Sequence, residues 1–169
     1  MRVAVTGTPG TGKTTASRLL ETDLEVIHLN EVIEDEELYT EIDEDRGSVI
    51  VDLEAASEWL EGRDDVVIES HLAHRFDADR VTVLRCHPDE LERRLLERGE
   101  NEAKAVENAE SEALDVILAG AAEEHGLESV YEIDTTDLEP AAVAAELEAV
   151  IRGDREPSAG TVDFVEYLE

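Results

Sequence analysis

Short apolar runs alternate along the chain with longer stretches of mixed polarity that have the length of helices. Five of the runs have the apolar content and the length of buried strands. They are Arg2–Thr6, Glu25–Leu29, Asp65–Glu69, Arg80–Arg85 and Val130–Asp134. Strands that alternate with helices in this way are typical of βαβ units around a parallel sheet. The pattern therefore predicts one three-layer α/β domain with a parallel sheet of about five strands.

The stretches between these strands carry start and stop signals of helices. One helix is predicted over Thr14–Leu20, and a second follows Asn30, whose side chain can cap it, and runs to about Leu38. Residues 34–46 are mostly Glu and Asp, so we expect a mobile or solvated segment there. Gly and Pro residues at suitable positions support four more helices. These are Asp52–Leu60, Asp89–Arg98, Lys104–His125 and Ala141–Arg152.

The chain is strongly acidic along its whole length. Lys and Arg total 14 against 45 Asp and Glu, which gives a formal net charge of −31, and Lys13 and Lys104 are its only lysines. Self-repulsion at this charge density destabilises a compact state, and salt screens it, because the Debye length falls from ~10 Å at 0.1 M to ~3 Å at 1 M. We therefore expect a protein adapted to molar salt. Strong direct binding to nucleic acid is disfavoured, since that requires clustered Lys and Arg.

The hydropathy pattern bears on the cellular location of the protein. Apolar residues make up 41% of the chain, enough for a folded core. No apolar run approaches the ~20 residues of a membrane span, and the sequence starts directly with a predicted strand. The single cysteine, Cys86, has no partner for an internal disulfide. We expect a cytoplasmic protein that does not associate with membranes.

The loop after the first strand carries the clearest chemical signal. Residues 7–14 read GTPGTGKT and fit the pattern GxxxxGK[ST] between a predicted strand and a predicted helix. The glycines allow successive backbone amides to face one anion, and the N-terminus of the helix adds positive potential. Lys13 can reach the β- and γ-phosphates, and the Thr14 hydroxyl can ligate Mg²⁺. The motif predicts a P-loop NTPase fold with ATP and Mg²⁺ as its cofactors.

The remaining motifs separate the classes of P-loop protein. Regulatory GTPases read guanine with an NKxD segment, and neither lysine of the chain stands in one. Small-molecule and nucleotide kinases instead add an acceptor-binding insert after the second strand and an Arg-bearing lid late in the chain. We place the nucleoside monophosphate (NMP)-binding insert at about residues 30–51 and the lid at about 97–107. Both belong to a kinase domain over residues 1–152, and a C-terminal tail follows over 153–169.

Five segments together carry a more specific signal than the phosphate loop, which many NTPases share. They read GTPGTGKTT (7–15), LYTEIDEDRGS (38–48), VVIESHLAH (66–74), VLRCHPDELERRLLERG (83–99) and ENAESEALDVI (107–117). In this order and spacing they resemble the small adenylate-kinase-like proteins of archaea and eukaryotic nuclei, a family that also acts in late maturation of the small ribosomal subunit. The resemblance covers nearly the whole chain.

The resemblance implies which residues contact ATP. The phosphate-loop contacts fall on Gly10, Gly12, Lys13, Thr14 and Thr15, and a lid contact falls on Arg98. Arg near a helix C-terminus is also ordinary capping chemistry, so residue type alone does not decide the role of this arginine.

A second nucleotide motif, usually written DxH in the family, falls on Glu69 and His71, so that Glu stands where Asp is commoner. Glu69 ends an apolar strand, where a carboxylate can orient Mg²⁺ through water. His71 follows at the carboxyl end of that strand, where open α/β sheets bind ligands. It suits either a role near the attacking water or the γ-phosphate, or simple loop hydrogen bonding. We expect Lys13, Glu69, His71 and Arg98 to be catalytic, and Thr14 and Glu69 to hold Mg²⁺, the latter through water.

The acceptor insert departs from the family pattern. Its early basic residue has no counterpart, because residues 32–37 read VIEDEE. Arg46 is the nearest candidate to hold the acceptor phosphate, and Asn30 is a second candidate contact to the monophosphate. His28, which precedes the insert, is expected to be structural.

These features predict an enzyme that transfers the ATP γ-phosphoryl group to AMP or another NMP, with ATP hydrolysis as a companion activity. The resemblance further implies transient binding to a small-subunit ribosomal protein and to pre-30S particles, and a role in late 30S maturation and 16S rRNA processing. The alternative is an ATP-dependent ribosome-assembly switch whose kinase reaction is incidental. Both functions use the same loop, so the sequence leaves them open.

Overall fold

A five-stranded parallel sheet forms the centre of the computed structural model, which describes residues 1–45 and 48–169. With strands numbered in chain order, it contains β1 (Arg2–Gly7), β2 (Glu25–His28), β5 (Val66–Glu69), β6 (Arg80–Arg85) and β7 (Val130–Asp134). The strand order is β2-β5-β1-β6-β7, and every neighbouring pair is parallel. The predicted P-loop α/β fold with about five parallel strands is confirmed.

Seven helices surround the sheet in the part of the chain that the structure describes. They are α1 (Lys13–Ser17), α2 (Leu29–Asp35), α3 (Leu53–Leu60), α4 (Pro88–Glu97), α5 (Glu102–Ala113), α6 (Val116–His125) and α7 (Pro140–Arg152), with short 3₁₀ turns at Ala73–Arg75, Leu127–Ser129 and Val165–Leu168. No described helix is both long and apolar enough to cross a membrane.

Side chains that point alternately to the two faces of the sheet produce the three layers. Ala4 and Ile68 belong to a core cluster with side chains of α2, α3 and α6 on one face of the sheet. Val5 and Val67, one position away, pack with Ala16 of α1 and with α7 on the other face. Successive side chains of a strand point to opposite faces, so two apolar neighbours require a helix layer on each side.

The acidic insert is more ordered than the sequence suggests. Two strands, β3 (Tyr39–Asp43) and β4 (Ser48–Val51), pair in antiparallel fashion, and β3 lies within residues 34–46, for which the sequence predicts a mobile or solvated segment. Tyr39, Val49 and Val51 pack against the main core cluster, while Glu41 and Glu44 are exposed. A half-buried strand requires only one apolar face, and the charges on the other face obscured the pattern.

Two helix boundaries also differ from prediction. Asn30 does not cap α2, because the helix begins at Leu29 and His28 occupies the N-cap position. The predicted single helix over Lys104–His125 is broken into α5 and α6, because Asp115 adopts a left-handed conformation with φ 56°. Neither Gly nor Pro marks this break.

The break in the helix is explained by a buried arginine. The guanidinium of Arg85, at the end of β6, is fully buried and donates to Glu112 Oε1 at 3.2 Å and to Glu132 Oε1 at 2.6 Å. It also donates to the carboxylate of Asp115 and to the backbone carbonyl of Glu112. One cation thus joins two strands and both helices that flank the break, and we call these four residues the Arg85 cluster.

The Arg85 cluster also anchors the C-terminal segment. Glu132 Oε2 accepts hydrogen bonds from the backbone amides of Thr161 at 2.8 Å and Val162 at 3.3 Å. The ring of Phe164 is buried and lies 5.3 Å from the guanidinium of Arg85. The residues after α7 therefore dock on the sheet edge at β7.

Replacing this arginine should be far more costly than replacing a surface arginine. Arg85→Met leaves Glu112 and Glu132, which are 2% and 1% exposed, without their cation, and loss of one partner of a buried pair costs about 3–5 kcal/mol. Arg93→Met is the matched control, since its pairs with Glu90 and Glu97 lie on the surface of α4 and should contribute about 0–1 kcal/mol. The measurement is the free energy of unfolding by guanidinium in molar salt. Equal losses in the two variants would contradict this account of the cluster.

Candidate functional site

The phosphate loop between β1 and α1 has the backbone that its glycines predict. Gly10 and Gly12 have φ values of 94° and 90°, in the left-handed region. A Cβ on Gly10 would approach side-chain atoms of Leu91 and Leu95 to 2.8 Å and 2.9 Å, so this glycine also allows α4 to pack against the loop. Gly12 occupies the N-cap position of α1. These conformations leave loop amides available to an anion.

Lys13 lies inside the loop and holds it together. Its side chain is buried, and Nζ donates to the backbone carbonyls of Gly7 at 2.8 Å and Thr8 at 3.1 Å. Burial lowers the pKa of Lys13 to about 8, the nearby charge of Glu69 opposes this, and Arg98 lowers it further. A cation held by carbonyls can turn toward a phosphate, which is the stronger acceptor.

Two clefts meet at the phosphate loop. The first has a volume of about 490 Å³ and lies between the loop, the arginines of α4 and the segment after β7. The second, of about 390 Å³, contains every predicted site residue except Arg46, which lies outside the described residues. These are Gly10, Gly12, Lys13, Thr14, Thr15, Asn30, Glu69, His71 and Arg98. Arg98 is exposed and lines both clefts.

The acidic end of the second cleft is formed where β5 ends. Glu69 is only 3% exposed and shares a hydrogen bond with His28, Nδ1 to Oε1 at 2.8 Å. Burial lowers the pKa of His71 to about 4, the charge of Lys13 acts in the same direction, and Glu69 opposes it. At neutral pH His71 is therefore an uncharged imidazole beside a carboxylate and an ammonium group.

Asn30 lies in the site and contacts the loop after β5, and its predicted contact to the monophosphate stays a prediction. Its Oδ1 accepts a hydrogen bond from Ser70 Oγ at 2.7 Å, and its Nδ2 lies 3.4 Å from His71 Nδ1. The side chain is thus engaged with the loop after β5, although it lines the same cleft. The contact places a donor at Nδ1 of the neutral His71 ring, which favours the tautomer with its proton on Nε2.

The structure adds residues that sequence analysis did not select. Lys104 and Asn108 of α5 line the second cleft and also a third one, of about 430 Å³, which reaches Pro9 and His71. Their spacing of four residues on a helix places them on one face. That spacing, and the rarity of lysine in the chain, were the signals that could have identified them.

Glu112 is a third missed residue, and its carboxylate supports the phosphate loop from the side of the core. Its Oε1 accepts from Thr8 Oγ1 at 3.2 Å, and its Oε2 accepts from the backbone amide of Cys86 at 2.8 Å. Burial raises the pKa of Glu112, and Arg85 acts in the opposite direction. The Arg85 cluster therefore extends directly to the phosphate loop.

The donor set fits a nucleoside triphosphate with Mg²⁺. A glycine-rich loop, the buried ammonium group of Lys13 and the exposed guanidinium of Arg98 suit the charge of a triphosphate. Thr14 and Glu69 line the same cleft and offer a hydroxyl and a buried carboxylate, and Mg²⁺ prefers few protein oxygens together with phosphates and waters.

Comparisons with known proteins agree with this geometry. The model of the family described as "AAA domain" matches residues 3–115. A protein of Natronomonas pharaonis described as "Putative adenylate kinase" is 64% identical over 168 residues, covering 99% of this chain and 100% of the relative. Proteins with the same description from Halobacterium salinarum and Methanocaldococcus jannaschii are 59% and 37% identical, over 99% and 98% of this chain and 100% and 94% of theirs. The chain belongs to this archaeal adenylate kinase family.

A solved structure of another protein has a similar fold. Shikimate kinase from Bacteroides thetaiotaomicron superposes with a TM-score of 0.53 at 21% identity, over 90% of this chain and 98% of that one. At this identity the likeness concerns the fold alone, which is the P-loop NTPase α/β fold.

The lowered pKa of Lys13 predicts how ATP binding depends on pH. Its pKa of about 8 should rise when phosphates replace the carbonyl partners, so binding above pH 8 takes up a proton and weakens as the pH rises. With a bound pKa near the ordinary value, we expect uptake of roughly three quarters of a proton at pH 8.5 and roughly a tenth at pH 7. Calorimetric titration of ATP in buffers of different ionisation enthalpy measures this uptake. Lys13→Arg keeps a cation that does not titrate in this range, so it should show none, and absence of uptake by the wild type would contradict the prediction.

Proposed function

We propose that the protein transfers the γ-phosphoryl group of ATP to a nucleoside monophosphate, AMP or another NMP. The observation that carries this proposal is that the first cleft, which is nucleotide-sized, and the second cleft, which we assign to the acceptor side, meet at the phosphate loop. Gly10, Gly12, Thr15 and Arg98 line both clefts, and the buried Lys13 lines the second. Arg98 lines both clefts, as a residue that neutralises a group in transfer between them should. The description of the archaeal relatives as adenylate kinases supports the same reaction.

In this proposal each residue of the site acts by position and charge. The amides of the phosphate loop hold the donor phosphates, and Lys13 and Arg98 neutralise the charge that develops on the transferring group. Thr14 would ligate Mg²⁺ and Glu69 would hold it through water. Mg²⁺ held there would supply positive charge that neutralises the phosphate oxygens. No covalent intermediate with the protein is required, because positioning and charge neutralisation account for most of the catalysis of phosphoryl transfer.

The acceptor phosphate requires cations that the donor does not use. Lys104 lines the acceptor-side clefts, and we propose it, together with Arg46 and Asn30, as a contact to the monophosphate. Lys104 lies 3.9 Å from Glu100 in a surface ion pair. Pairs of this kind contribute little, so the loss of this one pair on binding a phosphate would cost little.

ATP hydrolysis is a companion activity in the same proposal. The neutral imidazole of His71, beside Lys13 and at the mouth of the acceptor side, can hydrogen-bond a water that takes the place of the acceptor. This assigns His71 to hydrolysis more than to nucleotide binding.

The proposed reaction is tested by product formation from ATP with and without AMP in molar KCl. We expect ADP to form much faster when AMP is present, and Lys13→Ala to lower the rate about 10²–10³-fold, since it removes a preorganised charge at the transferring group. Arg152→Ala is the control, because this arginine lies at the end of α7 and pairs with Asp154. Wild-type activity in a folded Lys13→Ala protein would contradict the assignment of the active site to the phosphate loop. A rate of ADP formation that does not depend on AMP would contradict the kinase reaction.

A second candidate function is that of an ATP-dependent factor in 30S maturation and 16S rRNA processing that binds a small-subunit ribosomal protein, in the cytoplasm. The supporting observation is an exposed acidic run, Glu34–Glu37, at the end of α2 beside the β3–β4 hairpin. Ribosomal proteins carry basic extensions, and complementary charge steers such partners together.

This interaction is testable by pull-down of ribosomal proteins at the salt concentration of the host. We expect a small-subunit protein to be captured by the wild type and lost from a variant that carries Gln or Asn at positions 34–37. The control neutralises four exposed acids elsewhere, namely Glu54, Glu58, Glu61 and Glu123, and should retain capture. No enrichment by the wild type would count against the assembly role, whereas equal capture by all three would reject only this surface.

A further inference from the structure

The end of strand β2 contributes a side chain to the site that neither the motifs nor the resemblance selects. We propose that His28 is a positioning residue, which fixes the carboxylate of Glu69 in the orientation that it needs at the metal. The inference rests on the proposed function in one respect, namely that Glu69 acts on Mg²⁺ through water.

The register of the sheet brings the two residues together. β2 and β5 are parallel neighbours, and His28 pairs with Glu69 at the last position of both strands. Residues in register on neighbouring strands, about 4.8 Å apart, present their side chains to the same face. The side chain of Glu69 therefore lies within reach of the side chain of His28 on the neighbouring strand. His28 Nδ1 and Glu69 Oε1 are 2.8 Å apart.

Burial makes this hydrogen bond consequential. Glu69 is 3% exposed, whereas the side chain of His28 retains 20% exposure. A buried carboxylate that solvent does not reach takes its orientation from its protein partners. An ionised carboxylate only accepts hydrogen bonds, so the ring must carry its proton on Nδ1. One oxygen of Glu69 is thereby held, and Glu69 lines the same cleft as Lys13 and Thr14.

The local helix geometry agrees with a role outside the helix. His28 occupies the N-cap position of α2, but its side chain makes no capping hydrogen bond there. The side chain of His28 forms a hydrogen bond with Glu69 instead. Two residues later Asn30 accepts from Ser70 and contacts His71. The first turn of α2 thus holds the three successive residues 69–71, and it joins the acceptor insert to the acidic end of the site.

The test compares two substitutions of His28 that differ in one hydrogen-bond donor. His28→Asn retains an N–H group close to the position of Nδ1, and His28→Leu retains bulk without a donor. Mn²⁺ affinity in the presence of a non-hydrolysable ATP analogue, measured by electron paramagnetic resonance, reports on the metal directly. Loss of a residue that orients a ligand typically costs 10–100-fold in metal affinity or activity. We expect that loss of Mn²⁺ affinity in His28→Leu, and a value within about threefold of the wild type in His28→Asn.

Further measurements separate positioning from a structural role. Metal-free affinity for the analogue should stay unchanged in both variants, and kcat should fall in His28→Leu with little change in the KM for ATP. A lowered melting temperature with unchanged Mn²⁺ affinity would overturn the proposal, because His28 would then serve only the fold. Equal losses of Mn²⁺ affinity in His28→Leu and His28→Asn would also overturn it, since the N–H donor that Asn retains should restore the affinity.

The proposed function can fail independently of this inference. If the wild type transfers no phosphoryl group to any NMP, but His28→Leu still weakens Mn²⁺ binding and His28→Asn restores it, the positioning role stands and the kinase reaction does not. If Glu69→Gln binds Mn²⁺ as tightly as the wild type, Glu69 has no role at the metal, and the assignment of His28 fails with it.

Discussion

The buried guanidinium of Arg85 is the interaction on which most of the architecture depends. It neutralises two carboxylates that are themselves buried, Glu112 and Glu132, and a third, Asp115, at the surface. Through Glu112 it reaches the hydroxyl of Thr8 in the phosphate loop. Through Glu132 it holds the amides of the C-terminal segment. A single cation thus fixes the helix break, the chain terminus and the back of the nucleotide site, so each of these parts is stable only when the others are in place.

Several of the few cationic side chains of the chain lie around the phosphate loop, and this explains how so acidic a protein can accommodate a triphosphate. The chain has a formal net charge of −31 and only two lysines, and both line the clefts at the phosphate loop. Arg93, Arg94 and Arg98 add three guanidinium groups on the nucleotide side. At molar salt the Debye length is about 3 Å, so the distant acidic surface contributes little there and the direct contacts in the cleft determine affinity.

Local signals explain how much of this could be predicted from the sequence. The strands are contiguous apolar runs, and the phosphate loop is contiguous and fixed by its glycines, so both could be recognised without tertiary information. Every predicted site residue that the structure describes lines one cleft, because parallel strands bring their carboxyl ends to one edge of the sheet. The predicted roles of these residues stay predictions until they are tested by substitution.

The features that the sequence concealed depend on pairs of residues far apart in the chain. The break at Asp115 becomes understandable only with Arg85, thirty positions earlier, as its partner. The β3–β4 hairpin depends on burial of Tyr39 and Val49 against the core, which the surrounding acids mask. Asn30 has the residue type of a helix cap, yet Ser70, forty positions later, takes its side chain. Pairings at this separation leave no periodic trace in a single sequence.

The connection through the first turn of α2 bears on both proposed functions. This turn holds the segment 69–71 at one end, and the acidic run and the hairpin follow at the other. A ligand that binds the insert and shifts α2 must also shift the hydrogen-bond partners of Glu69 and His71. An acceptor nucleotide would use that coupling to complete the site for phosphoryl transfer. A protein partner seated on the acidic run would use it to change the rate of ATP hydrolysis. Kinase and switch would then share the contacts of this turn and differ in the ligand that occupies the insert, and nucleotide bound at the site would in turn affect the affinity of the insert for that ligand.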